Sequence, residues 1–127
     1  MSRLQWITHR GQRILAIDFS AITERSVALA AIAEVRPGIA AEPPNSVLTL
    51  TNITGSNFDP TVVEALKQLT KDDKPYVRAA AVVGVTGLQR IVMSVVSVFS
   101  NRTFGLFDTV EAAKDWLVEE AGRRAGG

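Results

Sequence analysis

Apolar and polar positions divide this chain into short alternating runs and longer stretches that repeat every three to four residues. Residues 3–9 (RLQWITH) alternate, with Leu4, Trp6 and Thr8 on one side and Gln5 and Ile7 on the other, and residues 13–19 (RILAIDF) also read as a strand. The intervening HRGQ, with Gly11 free to take a positive φ, is a hairpin signal. A helix follows, with Thr23 as the expected N-cap and Glu24 in its positive first turn. Ala28, Ile32 and Val35 recur at helical spacing and Ile39 continues them, yet Pro37-Gly38 is expected to stop or kink the helix near Arg36. Pro43-Pro44-Asn45 then breaks the chain.

Residues 46–52 (SVLTLTN) form the next strand. After it, Asp59 is a good N-cap and Pro60 suits the first helical position, where a missing N–H costs nothing. Val62, Leu66 and Leu69 make that helix's buried stripe, and Lys71-Asp72-Asp73-Lys74 reads as a solvated charged turn. Residues 76–85 (YVRAAAVVGV) are the most strand-like run, apolar at every position from Ala79 to Val83, as a central strand covered on both faces would be. After Thr86-Gly87, the residues Leu88, Ile91, Val92, Val95, Val96 and Phe99 match a core-facing helical stripe, with Met93 and Val98 falling off it. Residues 104–107 (FGLF) are a short last strand, and Asp108 or Thr109 caps a final helix bearing Val110, Ala113, Leu117 and Ala121. The order ββαβαβαβα predicts an α/β domain with a mixed, mostly parallel sheet, an N-terminal antiparallel hairpin and about four helices.

Composition narrows the function classes. The 127 residues fit one domain spanning 1–127, with 122–127 expected to fray, and 46% hydrophobic with 21% charged residues is ordinary for a soluble globular protein. The absence of cysteine excludes disulfides, thiolate metal sites and a cysteine nucleophile. With 14 basic and 13 acidic residues, the net charge of +1 gives no general electrostatic reason to bind nucleic acid or an anionic membrane. MSRLQWITHRG has no apolar run resembling a signal peptide, and neither 79–85 nor 91–99 approaches the length of about 20 residues that spans a bilayer. The expectation is a soluble cytoplasmic protein.

Few residues carry chemistry. The single histidine, His9, falls in the expected hairpin turn and reads as a solvated turn residue; there is no second His or Cys to make a metal site or a triad. No G-x-S-x-G, G-x-G-x-x-G or Walker A pattern occurs. Asp18, at a strand end, reads as a helix-capping residue before a catalytic one, and Trp6 and Trp116 as core or edge aromatics. No enzyme activity, metal or cofactor is therefore expected. What remains is a place: in open α/β sheets, ligands meet the loops at the carboxyl ends of parallel strands, where helix N-termini offer free N–H groups. Asn52, Thr54, Ser56 and Thr61 belong to one such region, and Thr86, Gly87 and Arg90 to another, a set suited to a phosphate or carboxylate. The apolar breadth of the helix 88–99 points separately to a second packing layer, a protein partner or self-association.

The run PPNSVLTLTNITGSNFDPTVVEALKQLTKDDKPYVRAAAVVGVTGLQRIV, followed by LFDTVEAAKDWL, resembles the SpoIIAA-like group of STAS/SEC14-type domains over residues 10–120, with KPYVRAAAVVGVTG and FDTVEAAKDWL carrying most of the likeness. The resemblance implies the same mixed sheet and a regulatory or interaction role. It also implies a phosphorylatable serine in an Asp-Ser-Ser-Gly motif at the helix start after the third strand; here that place reads SNFDPT, the motif is missing, and Ser56 and Thr61 are the nearest hydroxyls. The SEC14 side implies apolar ligand binding. The expected function is a non-catalytic regulatory or protein-interaction module, with a small-molecule or lipid-binding protein as the alternative.

Overall fold

The computed structural model describes residues 3–125. The strands are β1 (Leu4–His9), β2 (Gln12–Asp18), β3 (Val47–Asn52), β4 (Val77–Val83) and β5 (Gly105–Phe107); the helices are α1 (Arg25–Ala40), α2 (Pro60–Asp73), α3 (Leu88–Ser100) and α4 (Val110–Ala125). They follow in the order ββαβαβαβα, and the five strands lie in sequence order in one sheet, β1 antiparallel to β2 and the rest parallel. The β1–β2 corner is tight because Arg10 and Gly11 both take positive φ, 52° and 80°, as a two-residue hairpin turn requires.

Side-chain alternation distributes the core over both faces of the sheet. Leu15, Ile17 and Val82 point to the side of α1 and α2 and join Ala28, Ile32, Val35, Ile39, Val62 and Leu69. Ile14, Leu48, Leu50, Ala81 and Val83 point to the other side, where α4 lies alone and inserts Ala113, Leu117 and Ala121. The unbroken apolar run of β4 is thereby explained: Ala79 to Val83 are all buried because both faces are covered.

Several local expectations need correcting. Thr23 does not cap α1; Glu24 occupies the N-cap position and makes no side-chain cap. The helix also runs through Pro37 to Ala40. A proline in a last turn removes one intrahelical hydrogen bond, and the burial of Ile39 and the bond from Ala41 N–H to the Pro37 carbonyl offset that loss. By contrast, α2 begins as expected, with Asp59 accepting from Val62 N–H at 2.9 Å and Pro60 in the first turn. It continues to Asp73, so Asp72 and Asp73 are helical and Asp73 is buried rather than solvated. Thr109 accepts from Ala112 N–H at 3.2 Å at the start of α4, and α4 continues through residues 122–125, which were expected to fray; 126 and 127 lie outside the described residues. His9 is not a free turn residue: it ends β1, and its Nε2 meets Asp115 Oδ1 of α4 at 2.8 Å. Trp6 is an edge aromatic covered by the Arg13 guanidinium, and Trp116 tilts against Phe107.

The largest correction concerns α3. Helical spacing puts Leu88, Ile91, Val95 and Phe99 in the core, but all four are exposed, Leu88 at 77% and Ile91 at 62%, as is Val98 at 81%. The inward side is instead Val96 and Ser100, with Met93 against the core. The reason lies in the sheet: the strand next to β4 is only three residues long, and Gly105 and Phe107 turn toward Trp116 of α4, leaving Leu106, which is itself exposed, on the α3 side. A helix with so little sheet beneath it keeps its broadest apolar side in water.

Candidate functional site

Three loops meet at the carboxyl edge of the parallel strands: 18–22 after β2, 53–59 after β3 and 84–87 after β4. Backbone hydrogen bonds join the first two: Phe19 N–H to the Asn52 carbonyl, Ala21 N–H to Thr54 and Asn57 N–H to Ile22. The second and third touch at a glycine. Gly84 has φ +87°, and a Cβ there would lie 2.2 Å from Thr54 Oγ1 and 2.7 Å from Thr54 N, so only glycine lets the backbones pass this closely.

The predicted polar residues of this edge have mostly internal partners. Asn52 Oδ1 accepts from Thr54 N–H at 3.0 Å and from Thr54 Oγ1 at 2.6 Å, a local Asx-type turn. Ser56 is buried, at 7% exposure, and its hydroxyl donates to the Ile53 carbonyl at 2.6 Å. Gln89, which the sequence did not single out, holds the corner: its Nε2 donates to the Ile53 carbonyl at 3.1 Å and the Ser56 carbonyl at 2.5 Å, while its Oε1 accepts from Thr86 N–H at 3.2 Å. An amide in the first turn of a helix beside a polar loop was the available signal. Thr61, Thr86, Gly87 and Arg90 are exposed, and Arg90 shares an open cleft with Leu106, Asp108 and Thr109.

The carboxylates here are also engaged. Asp18 does not cap a helix; its Oδ1 accepts from the Ser20 hydroxyl at 2.5 Å and Ser20 N–H at 2.9 Å, and these bonds, the hydroxyl first, hold its pKa below the usual range. Asp59 is lowered first by Val62 N–H and then by Arg25, whose Nε lies 2.7 Å away. Arg90 makes no ion pair with Asp18 among the described residues. No group of three or more potential metal-ligating side chains occurs among the described residues.

Two further features stand apart from the carboxyl edge, the first on the helix 88–99 whose apolar breadth pointed to a partner or self-association, the second not anticipated. On α3, Leu88, Ile91, Val95 and Val98 follow a 3-4-3 spacing on the exposed side, the pattern of a helix-pairing seam. Arg90 is the only charged residue of α3, and Lys67 and Lys71 of α2 lie over the Phe99 ring at 4.6 and 5.5 Å; Lys67 is paired to Glu64 at 2.9 Å, which leaves Arg90 and Lys71 as the cations near the seam without an ion pair among the described residues. Between α1, α2, α3 and the sheet lies a largely apolar chamber of about 70 Å³, at whose wall stand Asp73 and Arg102. Asp73 is 5% exposed, and desolvation pushes its pKa up to about 7. Burial lowers Arg102 to about 10, still charged at neutral pH.

Comparison with known proteins agrees with this architecture. An uncharacterized protein of the DUF3478 family from Shewanella loihica PV-4, described as having a SpoIIAA-like fold, superposes with a TM-score of 0.69 at 17% identity, covering 90% of this chain and 91% of the other. An anti-sigma-factor antagonist (STAS) domain protein from Planctomyces limnophilus superposes with a TM-score of 0.54 at 17% identity, covering 91% and 97%. No known family's sequence model matches the chain, and neither does any curated protein sequence. The five-stranded mixed sheet with α1 to α3 on one side and α4 on the other is the SpoIIAA-like fold of the STAS domains.

Proposed function

We propose that this chain is a non-catalytic regulatory module that docks a helix of a protein partner on the exposed face of α3. The observation that carries this is the outward seam of Leu88, Ile91, Val95 and Val98. A contiguous apolar side on an otherwise ordinary soluble surface marks a contact surface, and 3-4-3 spacing suits another helix. Charge selects among occupants: Arg90 of α3 and Lys71 beside Phe99 have no ion pair among the described residues, Lys67 is balanced by Glu64, and α3 carries no acidic residue. A second copy would set like charges together, whereas a helix with acidic residues flanking its apolar stripe would be attracted. The STAS neighbour, an anti-sigma-factor antagonist domain, supports a regulatory role by fold alone.

The test compares the protein with an Ile91→Glu/Val98→Glu variant. Both are titrated with a helical peptide carrying leucines at heptad a and d positions and glutamates beside them, and with the same peptide carrying lysines instead. Binding of the glutamate peptide that weakens with salt, and that the variant abolishes, is the expected result. Equal binding of both peptides, binding of neither, or dimerisation through α3 at micromolar concentration contradicts the reading. A second reading, a small-molecule carrier, is favoured by the chamber behind α2. Its volume is about half that of the roughly 150 Å³ hole that accommodates benzene, which favours a small ligand over a lipid acyl chain.

A further inference from the structure

Buried charged groups in a folded protein are normally paired and hydrogen-bonded, because an unpaired one forfeits its hydration without compensation. Asp73 departs from that rule, and half-buried Arg102 beside it carries a charge that no carboxylate of a described residue meets. The Asp73 side chain makes no hydrogen bond or ion pair with any described residue, although it is 5% exposed and borders the chamber. Arg102 donates from one guanidinium nitrogen to the Thr70 carbonyl at 2.9 Å and lies 4.8 Å from the centre of the Phe104 ring, but it reaches no carboxylate of a described residue within 4 Å. The two groups therefore stand beside the same apolar space without neutralising each other by contact. The rest of the wall is mostly apolar, with Val35, Ile39, Leu66 and Met93 among its aliphatic residues, and Thr49, Thr51 and Thr70 add hydroxyls to it.

We propose that this chamber binds a short-chain aliphatic monocarboxylic acid, with the ligand carboxylate on the Arg102 guanidinium and the Asp73 carboxyl, and the alkyl tail against Leu66 and Met93. Arg102 supplies the positive charge and the free N–H donors. Asp73, substantially protonated near neutral pH, donates its proton to the second ligand oxygen rather than repelling it. A primary amine would pair with ionised Asp73 but set its own charge beside Arg102, and an alcohol would leave the guanidinium without a carboxylate. The size of the chamber limits the tail to a few carbons. This proposal deepens the small-molecule reading and does not depend on docking at α3.

The experiment is a titration of the whole protein with straight-chain acids from acetate to octanoate, and with the alcohols and amines of the same lengths, followed by methyl NMR shifts and by the thermal midpoint. Carboxylates are expected to bind about tenfold or more tightly than alcohols of equal length, as one charge-assisted contact implies. Affinity should rise with chain length and then fall once the chamber is full. Met93→Phe, which fills the space from α3, should abolish binding while the fold persists, and Arg102→Met should erase the preference for acids. The Ile91→Glu/Val98→Glu variant should bind acids as the parent does, which separates this proposal from the docking surface. Equal affinity for acids and alcohols, undiminished binding in Met93→Phe, or no response to any acid in the series overturns it.

Discussion

Two crossover helices on the same side of the sheet, α1 and α3, have opposite fates. In α1, Ala28, Ile32, Val35 and Ile39 face the sheet and are buried, and the helix holds its course through an internal proline. In α3, the residues with the same periodicity face water, and only Val96 and Ser100 are buried. Helical spacing alone does not say which way a stripe points. Burial requires a floor, and β3 beside β2 provides one for α1 whereas the three-residue β5 does not provide one for α3.

The contrast is breakable by substitution. Ile39→Ala in α1 should cost about 2–5 kcal/mol of unfolding free energy, as truncation of a fully buried aliphatic does, read by chemical denaturation. Gly84→Ala should come next, at about 1–3 kcal/mol, because the added Cβ meets Thr54 backbone at a positive φ; Gly87→Ala, with φ +52° but nothing within 4 Å, should cost less.

Asp73 yields a pH-dependent effect that is smaller per pH unit. Its folded pKa of about 7 lies above the ordinary 3.8, so between those values the folded chain holds a proton that the unfolded chain has released. Stability through this group should therefore fall as pH rises from about 4 to 7, by at most about 1.4 kcal/mol per pH unit, and Asp73→Asn should flatten that slope. Asp18, Asp59, Asp72 and Asp115 have lowered pKa values and act oppositely: their contribution is lost only as pH falls through their folded pKa values, below the ordinary 3.8, so the two windows separate. The smallest effect belongs to the outer face of α3: Leu88→Ser and Val98→Ser should each change stability by no more than about 0.5 kcal/mol. A loss comparable to Ile39→Ala at either position would erase the difference between the two helices.

Much of the fold was legible in the chain because it rests on local signals. Asp59-Pro60 marked the start of α2, Gly11 marked the hairpin, and the apolar run of β4 marked a strand covered on both faces. The direction of the α3 stripe was not legible, since it depends on the length of a strand elsewhere in the sheet. The status of Asp73 was hidden for the same reason: KDDK reads as a solvated turn until α2 runs through it and buries Asp73 against the chamber. At the carboxyl edge the sequence offered Asn52, Thr54, Ser56, Thr61, Thr86, Gly87 and Arg90 as candidates, but the clamp by Gln89 required knowing that α3 starts beside the 53–56 turn.

The most direct measurement is a paired one on Ile91→Glu/Val98→Glu: its unfolding free energy, and its affinity for the glutamate-flanked helical peptide. Stability within about 1 kcal/mol of the parent is expected, since two exposed residues are changed, together with loss of peptide binding. Unfolding of the variant, or peptide affinity equal to that of the parent, would contradict the assignment of α3 as a contact surface.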